Sequence, residues 1–150
     1  MSELRSSADK PTPDSFVSLE QYAGLLARLA KTATVIDPQP DAVVGITRSG
    51  LFPAVYLSHH LQLPMFTSAE AHTFPCPRLK YPLIVDTAAW TGKTARHIAA
   101  RLTRRGVDTP AVLVMFARRD PLPDISKLHY LEQTSRIMHF WYEREECNES

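Results

Sequence analysis

The sequence holds only two cysteines, Cys76 and Cys147, in 150 residues. They match neither a zinc spacing nor a disulfide framework, so a reducing compartment is the default expectation. Long apolar runs are missing too. None approaches the ~18 residues of a membrane span. The opening MSELRSSADKPTPDS has no apolar segment of the kind that directs secretion. The expectation is a cytoplasmic protein with no membrane partner. Charge of one sign is scarce, with seventeen basic against sixteen acidic residues and a net charge of +1. Proteins that live on nucleic-acid phosphates usually carry a larger basic excess, so bulk charge gives no support for a nucleic-acid partner. Glycine is rare, five against twelve prolines, so the glycine positions carry information.

What is present suffices for one domain. Apolar residues make up 44% and charged residues 22%, the balance of a soluble globular chain of one-domain length. Residues 1–15 read as a polar, flexible arm, 16–145 as the domain, and 146–150 as a fraying end. Ser18 and Gln21 have the form of a capping box opening a helix through Tyr22, Leu25, Leu26 and Leu29. Residues 42–46 and 111–116 are short apolar runs, and 82–86 is one that ends in Asp86; all three read as buried strands. A second helix is expected from Pro53 to Pro64 and a short strand over 63–67. The segment 68–80 is expected to be an irregular loop or weak edge strand. A third helix follows TGKT, burying Ala95, Ile98, Ala99 and Leu102 and ending at Gly106. A last strand is expected within 137–142. Apolar strands alternating with amphipathic helices predict an α/β fold of three layers, a mainly parallel central sheet flanked by helices. Ligands in such sheets bind beyond the carboxyl ends of the strands, where strand order switches.

Two loops leave strand ends with unusual chemistry. In the second, Thr91, Gly92, Lys93 and Thr94 stand at a helix start, where unpaired amides and the helix dipole attract anions. A nucleotide-binding Walker loop would require glycine at position 87, which is Thr87. A plain helix cap without a ligand is the bland alternative. In the first loop, Thr47, Arg48, Ser49 and Gly50 follow the strand at 42–46. Of the six histidines, none pairs with an acid or cysteine at ligand spacing. The arginines of the third helix read as a solvated face.

PLIVDTAAWTGKT resembles the signature of type I phosphoribosyltransferases: four apolar residues, one or two acids, a short small or variable stretch, then T-G-[KG]-[ST]. PDAVVGITRSGLFPA resembles the same family's earlier pyrophosphate loop. SLEQYAGLLARLA and RIMHFWYE are similar to its xanthine-guanine members in order and spacing. The resemblance implies the type I phosphoribosyltransferase fold with a small, reduced hood.

It further implies that Thr91–Thr94 hold the 5-phosphate of phosphoribosyl pyrophosphate (PRPP). Asp86 would hold the ribose hydroxyls, within a PRPP-binding stretch that continues through Thr87, Ala88, Ala89 and Trp90. Thr47, Arg48, Ser49 and Gly50 would form the pyrophosphate loop, with a non-proline cis peptide. Asp86 and Arg48 are the expected catalytic residues, Arg48 supplying charge for the leaving group. Mg²⁺ is the implied cofactor, held by Asp86 and, at a second site, by Glu143, which also opens a charged tail. The base is expected against Trp90, Arg118, Ile137 and Met138, with Arg119 beside them. Thr87 stands where many members have a second acid. Trp90 stands where hypoxanthine-type members have an aspartate, and either stacks on the base or fills its pocket. Residues 66–80 would be a short, proline-stiffened lid.

The activity implied is transfer of 5-phosphoribosyl from PRPP to guanine, xanthine or hypoxanthine, with release of pyrophosphate, by a homo-oligomer. The alternatives are a catalytically weakened PRPP- or nucleotide-binding regulator on the same fold and, more remotely, an RNA-binding regulator using the basic helix face.

Overall fold

The computed structural model describes residues 15–143. The expectations for residues 1–14 and 146–150 lie outside the described residues. Ser15, the last residue of the expected arm, is buried, and its carbonyl accepts from the His139 amide at 2.8 Å. The elements run β1 (Phe16–Val17), α1 (Leu19–Ala33), β2 (Ala42–Gly45), α2 (Leu51–Leu61), β3 (Met65–Thr67), a 3-10 helix (Ser68–Thr73), β4 (Pro82–Ala89), α3 (Lys93–Arg104), β5 (Ala111–Arg118), β6 (Leu128–Thr134) and β7 (His139–Phe140).

The capping box forms as read: Gln21 N–H donates to Ser18 Oγ at 3.1 Å, and Ser18 N–H to Gln21 Oε1 at 2.9 Å. Together these satisfy two orphan amides at the start of α1. At its other end Gln39 Nε2 donates to the carbonyls of Thr34 and Ile36 at 2.7 and 2.8 Å. Helix α2 begins at Leu51, two residues before the proline expected to open it. Pro53 falls in the first turn, where an amide has no intrahelical acceptor to lose.

Five strands form one parallel sheet in the order β3-β2-β4-β5-β6. The chain leaves β2 toward β3 on one side, then returns to place β4 on the other. The switch in strand order therefore lies between β2 and β4. Helices α1 and α2 cover one face, packing Tyr22, Leu25, Leu29, Ala54 and Leu57 against Val43, Leu83, Val85 and Leu113. Helix α3 and the 3-10 helix cover the other, packing Ala95, Ile98, Leu102, Ala71 and Phe74 against Val44, Ile84, Val112 and Val114. Burial on both faces explains why β2, β4 and β5 read as continuous apolar runs.

Three expectations change. Strand β4 runs on to Ala89, because Ala88 and Ala89 keep pairing with Phe116 and Ala117. Strand β6 was not anticipated: LHYLEQT is a half-buried edge, alternating too weakly to stand out. The run at 137–142 contributes only His139–Phe140, which pairs in parallel with β1 in a separate two-stranded sheet. That small sheet stands where the hood was expected. The segment 68–80 begins with the 3-10 helix, closed by its own Thr67–Glu70 capping box.

Helix α2 lies close on β2 because Gly45 has no side chain. A Cβ there would meet Ala54 Cβ at 2.7 Å. Gly45→Ala should therefore cost about 1–3 kcal/mol through overpacking. Adding Ala54→Gly should recover part of that loss. Chemical denaturation of the single and double variants checks this.

Candidate functional site

At the switch point β2 and β4 release their two loops side by side. The turn after β2 is built from main chain. Gly50 N–H donates to Ile46 C=O at 2.9 Å. A Cβ on Gly50 would lie 2.6 Å from the carbonyl oxygens of both Ile46 and Val85, so no side chain fits. The Thr47–Arg48 peptide is cis, the non-proline cis bond expected in this turn. Thr47 N–H donates to Ser68 Oγ at 3.1 Å, and Thr47 Oγ1 lies 3.2 Å from the same atom. Ser68 is buried, and nothing in its local sequence marked it as a support for this loop. Thr47 and Arg48 are exposed, and Ser49 is half-buried.

The second loop sits at the start of α3. Gly92 is its N-cap with φ +79, a left-handed conformation that favours glycine. Thr91 Oγ1 accepts from Lys93 N–H at 3.2 Å, and Arg96 donates to Thr91 C=O at 2.9 Å. The first helical bond is Arg96 N–H to Gly92 C=O, so the Thr94 and Ala95 amides precede the helical ladder. Thr91 and Lys93 are exposed and Thr94 is half-buried, which leaves the helix start open to an anion. Pro123 and Ile125 close the side of the loop nearest Gly92.

Asp86 and Thr87 join the two loops. Thr87 is buried, and its hydroxyl lies 3.2 Å from Ser49 Oγ. Thr87 N–H donates to Asp86 Oδ1 at 2.8 Å. Burial pushes the Asp86 carboxyl up to about 7, against the lowering effect of that amide and of Ser49. Asp86 still keeps a partly exposed edge, so its charge can be recovered by a ligand that brings donors or cations. Tyr22 and Tyr142 lie near the same carboxyl, and neither was singled out for chemistry by the sequence.

The remaining expected residues are more dispersed. Trp90, Met138 and Tyr142 are half-buried and pack on the α1–α2 side of the core. Ile137 is half-buried just before β7. Arg118, one residue past the Ala89–Ala117 pair, is exposed and donates to Asp120 C=O at 3.3 Å. Arg119 donates to Gln133 C=O at 3.4 Å. Glu143 Oε1 lies 3.7 Å from Nδ1 of buried His139. The turn after β7 brings the two together.

In the expected lid, Phe74 is fully buried and its carbonyl accepts a fork from Arg105 at 3.0 and 3.2 Å. A cavity of about 320 Å³ opens at the opposite end of the sheet, where Pro40, Pro82 and Pro110 lead into strands. It shares no lining residue with the two loops.

Two substitutions probe this arrangement. Asp86 binds a proton more tightly in the folded state than in the unfolded chain. Its contribution to stability is therefore lost as pH rises from about 4 through 7. Asp86→Asn should stabilise the protein at pH 8 by on the order of a few kcal/mol. That gain should shrink toward zero at pH 4, as read from denaturation midpoints across pH. Gly50→Ala should destabilise by about 1–3 kcal/mol and displace the Thr47–Ser49 amides in an NMR spectrum.

No protein-family model and no curated protein sequence matches the chain. Solved structures do. Xanthine-guanine-hypoxanthine phosphoribosyltransferase of Helicobacter pylori superposes with a TM-score of 0.75 at 20% identity, covering 89% of this chain and 95% of that one. A purine phosphoribosyltransferase of Pyrococcus horikoshii gives 0.69 at 22%, covering 87% and 94%. A Neisseria gonorrhoeae protein crystallised with bound ppGpp gives 0.70 at 15%, covering 90% and 93%. Adenine and orotate phosphoribosyltransferases share the architecture at lower scores. With its parallel five-stranded sheet, flanking helices and paired loops at the strand switch, the chain has the type I phosphoribosyltransferase fold.

Proposed function

We propose that the chain is a cytoplasmic, homo-oligomeric phosphoribosyltransferase that moves 5-phosphoribosyl from PRPP to an oxopurine: guanine, xanthine or hypoxanthine. One observation carries the reading. Two amide-presenting loops leave adjacent parallel strands, are joined by the Ser49–Thr87 contact, and flank a single carboxyl, Asp86. A sugar bearing phosphate at one end and diphosphate at the other needs that pattern of donors, acid, donors.

In this reading Thr91, Gly92, Lys93 and Thr94 hold the 5-phosphate, and Asp86 accepts from the ribose hydroxyls. The Ala88–Trp90 stretch lines the sugar. Arg48 and the Thr47–Gly50 main chain face the diphosphate. As the C1–O bond breaks, the diphosphate takes the electron pair, and Arg48 with these amides stabilises its growing charge. The base nitrogen then forms the new bond to C1, and the purine's imidazole N–H proton passes to the departing diphosphate or to solvent. Trp90, Arg118, Ile137 and Met138 bound the base, Arg118 as a donor to its carbonyl once it leaves Asp120.

Among the described residues no group of three or more His, Cys, Asp or Glu could cage a metal. That suits Mg²⁺, which keeps several waters and takes substrate phosphate oxygens, and so needs little more than Asp86 and, at a second site, Glu143. Bound there, Mg²⁺ supplies neutralisation of diphosphate charge.

A second reading, a nucleotide-sensing regulator on the same fold, is favoured by Trp90, which packs on the core where the base would approach. The Neisseria protein of similar fold was crystallised with bound ppGpp, a nucleotide that carries diphosphates, which supports this reading.

Calorimetry with PRPP and Mg²⁺, paired with pyrophosphate release in the presence of each base, separates the readings. The enzyme reading expects binding in the micromolar to sub-millimolar range and release with an oxopurine. Lys93→Ala should weaken PRPP binding about 10–100-fold through loss of a charged hydrogen bond. Binding without release supports the regulator. Absence of binding rejects both.

A further inference from the structure

Two phenols in the structure are hard to explain as core. The hydroxyls of Tyr22 and Tyr142 are sealed from water and find no hydrogen-bond partner. Their rings are well used. Tyr22 sits edge-on to Phe52, Phe140, Trp141 and Tyr142 at 5.8–6.5 Å. Tyr142 lies 4.7 Å from Phe52 and stacks on Phe140 at 5.6 Å. Phenylalanine at either position would keep every one of these contacts and bury no unpaired hydroxyl. An orphaned buried hydroxyl is costly and calls for a reason.

The surroundings supply one. Ser49, Thr87 and Asp86 lie near the Tyr142 hydroxyl, and Tyr142 and Asp86 near that of Tyr22, close enough to influence it but none in hydrogen-bonding geometry. Each phenol has a proton to donate to them. In the free protein the Ser49 and Thr87 hydroxyls share one proton contact at 3.2 Å. Each hydroxyl has one proton to give and two lone pairs to receive. When a ligand draws those protons outward, the Ser49 and Thr87 oxygens turn their lone pairs to the phenols.

We propose that Tyr22 and Tyr142 are positioning residues, whose hydroxyls hold Ser49, Thr87 and Asp86 in their ligand-bound arrangement without touching the ligand. The phenols gain their partners when the site is occupied, so they couple α1 and the turn after β7 to occupancy of the loop after β2. This deepens the reading of the site as a PRPP site and rests on it.

The test is Tyr22→Phe and Tyr142→Phe, measured for melting temperature without ligand and for PRPP affinity by calorimetry. Each variant should melt higher, by about 2–4 °C, and bind PRPP about 3–10-fold more weakly. In a Ser49→Ala background, Tyr142→Phe should cost little further affinity, because the residue it acts through is gone. A merely structural tyrosine would show neither the opposed signs nor the lost increment. Phe variants that melt lower, bind PRPP like wild type, or lose affinity additively with Ser49→Ala overturn the proposal. Wild-type protein that takes up no PRPP overturns the PRPP reading along with it, whereas normal wild-type binding with unaltered Phe variants overturns this inference alone.

Discussion

The close approach of Gly50 to the carbonyl of Val85 sets the geometry on which the site depends. Only a residue without a side chain lets the turn after β2 lie against the body of β4. From that contact the rest follows. Ser49 comes within reach of Thr87. The Thr47 amide and hydroxyl are left to be fixed by Ser68 from the far side, across the edge strand β3. Gly45 does the matching work one layer below, letting α2 settle onto β2 so that its first turn begins directly after Gly50. The loop is thus gripped by strand, helix and the 3-10 helix together, and its exposed side is left to Thr47 and Arg48.

The site holds together at a visible electrostatic cost. A carboxyl whose proton affinity has been raised to about 7 sits between two donor-rich loops. The Thr87 amide and Ser49 favour its charge, but too weakly to offset its burial. Such a group is poorly placed for stability and well placed for a ligand that brings hydroxyls or a cation. The two sealed phenols beside it follow the same pattern. Among the described residues, the buried side-chain polar groups without a partner are these two phenols, gathered at one spot beside Asp86.

Much of this was legible in the chain. The apolar runs of β2, β4 and β5 could be read because helices bury both faces of the sheet. The Ser18–Gln21 box placed the start of α1, and Gly92 and Gly106 marked the two ends of α3. The pairing of the two loops was readable because each follows a buried apolar run at a strand's carboxyl end and resembles a motif of one family. What escaped was decided by long-range contacts. Strand β6 is an edge whose polar residues reach outward, as Glu132 does to Arg28 at 2.8 Å. Two residues of β1 and two of β7 become strands only because they meet each other across the whole chain. Ser68, Tyr22 and Tyr142 looked like an ordinary polar residue and ordinary aromatics, since their roles depend on what the fold brings beside them.

The central claim is that the main-chain amides of two loops on adjacent strands grip one ligand together. Its most direct test is an amide-resolved NMR titration of the wild-type protein with PRPP and Mg²⁺. The account predicts that Arg48, Ser49 and Gly50 shift together with Gly92, Lys93 and Thr94 along one saturating curve, while amides at the far end of the sheet stay still. Shifts confined to one loop, or spread over surface lysines without saturation, would contradict it.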